Sequence, residues 1–196
     1  QGVGNYFTIS GQMFDTGTET KGWGWRLLSR FTWEGLNTSV GNIAATLTNS
    51  SGVVDDIQYY RGATVLKTRG DYGAITFGNN IIGDRDIEAL PDNPLFQHEY
   101  GHYLRSRGSG PGYYFEYGIP SLWSAATNPY DHDYFWIERD ANKAAFIYFT
   151  EQYPGFDDWF YKRNPLYEEG DPRNYSYPVY KYGHPYRPTT LTINKH

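Results

Sequence analysis

The chain has no cysteine. That excludes a disulfide framework and a thiolate metal site, so any metal would be held by imidazole and carboxylate groups. It says nothing of compartment. No apolar run approaches the ~20 residues that a membrane span needs, and no signal-peptide pattern opens the chain. Basic runs are missing too. Seventeen Lys and Arg against 22 Asp and Glu leave a net charge of −5, which argues against nucleic acid as the main partner. Methionine occurs once, at Met13, and the chain opens on Gln1, as a processed product or a piece of a larger parent chain would.

Aromatic residues, by contrast, are abundant: 20 Tyr, 11 Phe and 6 Trp, or 19% of the chain. Tyrosine buries area while keeping a polar tip. A domain whose loops are pinned by tyrosine is the plainer reading, preferred over an aromatic face that binds carbohydrate or peptide. A length of 196 residues suits one domain with a sizeable core.

The most informative segment is His98-Glu99-Tyr100-Gly101-His102, an H-E-x-x-H pattern. Side chains four apart share one face of a helix, so two imidazoles can grip one cation. The glutamate sits beside the metal rather than on it, where it can act as a general base towards water. A helix is expected here: Asn93-Pro94 reads as N-cap and N1 proline, Leu95, Phe96, Tyr103 and Leu104 are apolar positions, and Gly108 is a plausible stop. Two satisfied core histidines would be the bland alternative.

A catalytic zinc takes three protein ligands and leaves one position open. Candidates for the third are Glu138, Glu116, His132 and His184. Glu138 is preferred. It lies on the apolar stripe Ile137, Glu138, Ala141, Ala145, Tyr148 of a second helix expected over 133–153, and a buried carboxylate needs a partner. The small Ala141 would let that helix approach the first. His132, flanked by Asp131 and Asp133, is the alternative third ligand. Metzincins are excluded: Arg105 and Gly108 stand where their motif requires glycine and histidine, and no methionine follows.

Elsewhere, the first ninety residues read as β-rich. Residues 23–34 suit a strand or a short helix, Asn49 to Gly52 a turn, and 53–60, 73–78 and 81–82 strands. Residues 108–131 hold too much Gly and Pro for one regular helix, and a loop of that length beside a site is commonly functional or a lid. From residue 154 onward, six prolines and many tyrosines suggest an irregular wrap.

Three segments (Leu95 to Leu104; Gly118-Ile119-Pro120-Ser121-Leu122; and His132-Asp133 with Trp136 to Asn142) resemble bacterial zincin-like domains of the H-E-x-x-H, glutamate-ligand type. Such domains occur in Bacteroidetes proteins and in the C-terminal regions of Rhs-repeat and polymorphic-toxin chains. The resemblance covers about residues 70–165. It implies an α+β fold with a minimal zincin-like core: a small sheet, the motif helix and a second, ligand-bearing helix. Around that core the expected organisation is a single domain, with a β-rich extension over 1–70, a metallopeptidase-like core over 71–165 and an irregular tail over 166–196. The resemblance further implies one Zn2+ per chain on His98, His102 and Glu138, Glu99 as general base, and a protein or peptide substrate. A secreted, periplasmic or cell-surface location rests on the resemblance alone. Glu138, Ala141 and Asn142 match the segment that carries the third ligand in such zincins, with Asn142 where an aspartate usually orients a ligating histidine from the second shell. A catalytically silent binding or structural module is the alternative. The oxyanion stabiliser is open, with Tyr180, Tyr182 and His184 as candidates.

Overall fold

The computed structural model describes residues 2–14 and 23–175. The fold is α+β. Four strands form one mixed sheet in the order β1-β2-β4-β3, where β1 is Val54–Tyr60, β2 Ala63–Thr68, β3 Ala74–Phe77 and β4 Asn80–Gly83. β1 and β2 form an antiparallel hairpin. Its two-residue turn, Arg61-Gly62, has positive φ at both positions (43° and 101°), the backbone that matches the twist of a tight hairpin. β2 runs parallel to β4, and β3 lies antiparallel to β4 at the sheet edge.

Alternation along the strands feeds two cores. Tyr60, Ala63, Val65 and Ile81 point to one face and join Phe96, Tyr100, Ala145, Phe149 and Trp159. Val54, Leu66 and Ile82 point to the other and join Ile9 and Ala45. Helices cover both faces. On the first lie α4 (Pro94–Ser109) and, packed on it, α6 (Trp136–Gln152). On the second lie α1 (Gly2–Gln12) and α3 (Gly35–Ser50), with α2 (Trp23–Phe31) packed beside α3. α5 (Ile119–Thr127) bridges the end of α4 to α6.

The β-rich extension expected over the first residues is corrected here: α1, α2 and α3 are helices, and no described strand precedes Val54. Residues 23–34, open between strand and helix, form α2 at 23–31. Branched residues such as Thr38, Val40, Ile43 and Thr46 favour strand locally, yet the 16-residue α3 packs against the sheet through Gly41 and Ala45, and tertiary packing outweighs propensity. Gly78, at the β3–β4 turn, has φ of 57°, and a Cβ there would meet the Asn37 carbonyl of α3 at 2.2 Å. The boundary drawn at residue 70 falls between β2 and β3 of one sheet.

α4 starts as expected: the Asn93 side chain accepts the Phe96 N–H at 2.9 Å, and Pro94 follows. It ends later than expected, one residue before Gly110, whose φ of 54° closes it, rather than at Gly108. Residues 108–131 are not a simple loop either. A 3₁₀ turn (Gly110–Gly112), a π-helical turn (Tyr114–Gly118) and α5 occupy most of it. The second helix is α6, preceded by a 3₁₀ turn at His132–Tyr134. Beyond it the described chain is largely irregular, with a short 3₁₀ turn at Pro172–Tyr175. Aromatics divide between two uses. Tyr60, Tyr100, Tyr103 and Phe149 pack edge-to-face or tilted in the core, while large aromatic side chains such as Phe7, Trp25 and Trp123 stand in solvent. No helix among the described residues is long and apolar enough to cross a membrane.

Candidate metal centre

α4 and α6 cross at Gly101 and Ala141. A Cβ on Gly101 would sit 2.1 Å from the Ala141 carbonyl oxygen, so this glycine permits the close approach. The approach brings Glu138, buried on α6, against the two motif histidines. His98 Nε2 lies 3.2 Å and His102 Nε2 2.8 Å from Glu138 Oε2. Among the described residues, these three form the one group of metal-capable side chains, with ligand atoms all within 4.8 Å of one another. Two imidazoles and a carboxylate suit a borderline ion such as zinc. Donors about 2.1 Å from a tetrahedral ion stand roughly 3.4 Å apart. The His98 pair is close to that spacing, and the His102 pair needs to open by only about half an ångström.

The surrounding contacts select which atoms face inward. Asn142 donates from Nδ2 to the Pro165 carbonyl at 3.1 Å. That leaves Oδ1 to accept from His98 Nδ1 at 2.9 Å. A proton is thereby placed on Nδ1, and Nε2 is the ring atom directed at the cluster. Asn142 thus performs the orienting task expected of an aspartate. An aspartate there would set a carboxylate oxygen against the Pro165 carbonyl. Tyr113, buried, places its hydroxyl 3.3 Å from His102 Nδ1. Ser121 donates to Glu138 Oε1 at 2.6 Å, so that oxygen is occupied while Oε2 faces both imidazoles.

Electrostatics follow this packing. Burial opposes the charged form of His98, but Glu138 and Glu99 outweigh it and raise its pKa to about 9. Burial would likewise raise the Glu138 pKa, yet His102 and His98 hold it well below the usual carboxylate range. Burial, with Glu99 and Glu138 nearby, pushes the Tyr113 phenol well above its ordinary value, so it stays protonated.

Glu99 stands outside the three-donor group. It is buried beside β3, where the Thr76 hydroxyl donates to its Oε2 at 2.6 Å and lies 3.0 Å from its backbone carbonyl. A cleft of about 220 Å³ opens onto all of these groups. Its walls are Ala74 to Phe77 of the edge strand on one side, and Tyr113, Ile119 and Leu122 on the other, with Glu99, His98, His102 and Glu138 between.

The other candidates separate cleanly. His132 lines the cleft, but its Nε2 is 3.7 Å from Glu138 Oε1 and outside the donor group. Glu116 is exposed on the π-helical turn and does not line the cleft. His184, Tyr180 and Tyr182 lie outside the described residues. Thr76, Ser121 and Tyr113 are additions that sequence reasoning did not single out as site residues. Ser121 stood within a segment of the zincin resemblance, while Thr76 and Tyr113 carried no local signal. No family model, curated protein or solved structure matches the chain.

Proposed function

We propose that this protein is a zinc-dependent metallopeptidase with a zincin-like core, holding one Zn2+ on His98, His102 and Glu138. One observation carries the reading: three ligand atoms from two helices converge within 4.8 Å, while the motif glutamate lines the same cleft, buried and held through one oxygen by Thr76. Zinc held there would lower the pKa of a bound water and polarise a scissile carbonyl.

The chain's own groups then have distinct tasks. Glu99 takes the proton of the attacking water and passes it to the leaving amine. Thr76 donates to its carboxylate and fixes its rotamer. Asn142 and Tyr113 orient the two imidazoles. β3 is an edge strand whose residues form a cleft wall, which suits an extended peptide added to the sheet by main-chain hydrogen bonds. Tyr113, protonated and lining the cleft, is a candidate donor to a developing oxyanion.

A binding or structural module without turnover is the second reading, and the exposed aromatic side chains favour it. The two are separated by Glu99→Gln, which keeps size and polarity but removes the base. Wild type and variant, both loaded with zinc, are incubated with a peptide library and new termini are read by mass spectrometry. The enzyme reading predicts cleavage by wild type and a loss of at least about a hundredfold in the variant. Equal background from both favours the module.

A further inference from the structure

Helices that cover a sheet usually turn their apolar side inward and their polar side to solvent. α3 does the reverse. Its buried positions are Asn37, Thr38, Gly41, Ala45 and Asn49. Its exposed ones include Leu36, Ile43 and Leu47, the last 66% exposed. With half-buried Val40 these recur at steps of four, three and four. On α1, Ile9 faces the sheet and is 1% exposed. Val3, Phe7 and Phe14, at steps of four and seven, stand on the opposite side in solvent, Phe14 just past the helix end. α2, packed on α3, adds exposed Trp25 and Leu28.

We propose that the outer face of α1 and α3 is a homotypic interface, in which two copies of this chain pair these helices about a two-fold axis. The spacing points to helices as the occupant: steps of four and three are the 3.5-residue repeat of a helix–helix seam. Charge points to a second copy. Neither α1 nor α3 carries a charged residue, and the α3 stripe is flanked by Ser39, Thr46 and Ser50. Two copies with a net charge of −5 each can therefore meet here without like charges opposed. An uncharged apolar stripe is also self-complementary, as a two-fold contact requires. A helix that lies on a bilayer carries Lys and Arg along its polar side, and these two have none. The eight exposed side chains named above present on the order of the 800 Å² that each partner of a standard interface covers.

The test is sedimentation velocity on the whole chain from about 1 to 100 μM, with Ile43→Lys/Leu47→Lys as the variant. Both positions are solvent-facing, and far-ultraviolet circular dichroism reports whether the helices persist. Wild type is expected to form a dimer within this range. The variant, with its spectrum unchanged, should show dimerisation at least a hundredfold weaker. A second arm measures flotation of wild type with uncharged phosphatidylcholine vesicles. A wild type that stays monomeric at 100 μM, a folded variant that dimerises as wild type does, or monomers that float with vesicles would each overturn the proposal. None of these outcomes bears on zinc or cleavage, so the metallopeptidase reading stands or falls separately.

Discussion

The two helical layers on the sheet handle polar residues in opposite ways. In the α4–α6 layer, carboxylic and imidazole side chains are buried and converge: Glu99, His102 and Glu138 are all under 8% exposed, and each has a named hydrogen-bond partner. On α3 of the other layer, the inward side chains are uncharged amides, hydroxyls and small residues, while large apolar side chains face solvent. Some polar atoms below α3, such as Asn37 Oδ1 and Asn80 Oδ1, are buried without a side-chain or backbone partner. Burying charge is costly unless every group is satisfied. A layer that does so at one point concentrates chemistry there. The other layer carries no comparable cluster, and its unusual feature lies on its outer surface. The difference sets the candidate metal site on one face of the sheet and the exposed apolar stripe on the other.

Within the α4–α6 layer the largest effect belongs to Glu138. Glu138→Ala removes a ligand and should lower zinc affinity by orders of magnitude, measured by competition with a chelating dye. His132→Ala, altering a group 3.7 Å from the other carboxylate oxygen, should lower it tenfold to a hundredfold at most. The reverse ranking would hand the third position to His132.

A smaller effect is expected at Asn142. Asn142→Asp introduces the residue more usual in zincin-like domains, yet it turns a carboxylate oxygen towards the Pro165 carbonyl. It should weaken zinc binding by about tenfold and cost about 1–3 kcal/mol in urea unfolding. A gain in either measurement would show that the amide is a defect rather than an adaptation to Pro165.

The smallest effect is across the sheet. Ile43→Lys/Leu47→Lys should leave zinc affinity unchanged within about twofold, since exposed substitutions distant from a site act independently of it. A loss of tenfold or more would mean that the two layers are coupled and that the contrast between them is false.

How far these features were legible in the residues depends on range. His98, Glu99 and His102 lie within one helix, where spacing alone sets their geometry. Glu138 was legible because a carboxylate on the apolar stripe of α6 demands a partner, and Asn142 only through the resemblance to zincin-like segments. Thr76, Ser121 and Tyr113 were not, since each acts through a contact formed only when separate elements fold together: Thr76 meets Glu99 across 23 residues and Ser121 meets Glu138 across 17. Nor is the lock on Asn142, a backbone carbonyl of Pro165, encoded in any side chain. Strands β1, β3 and β4 followed turn and alternation signals, whereas β2 (Ala63–Thr68) was not among the expected strands. The N-terminal helices escaped because α3 combines branched residues with inverted amphipathicity, so composition suggested strand while the apolar spacing was that of a helix.

The central claim is that the α4–α6 crossing builds a metal site, and elemental analysis of protein dialysed against buffered zinc tests it most directly. The account predicts about one zinc per chain for wild type, and none for His98→Ala or His102→Ala folded to the same circular dichroism spectrum. Wild type that takes up no zinc at micromolar concentration, or histidine variants that keep it, would contradict the claim.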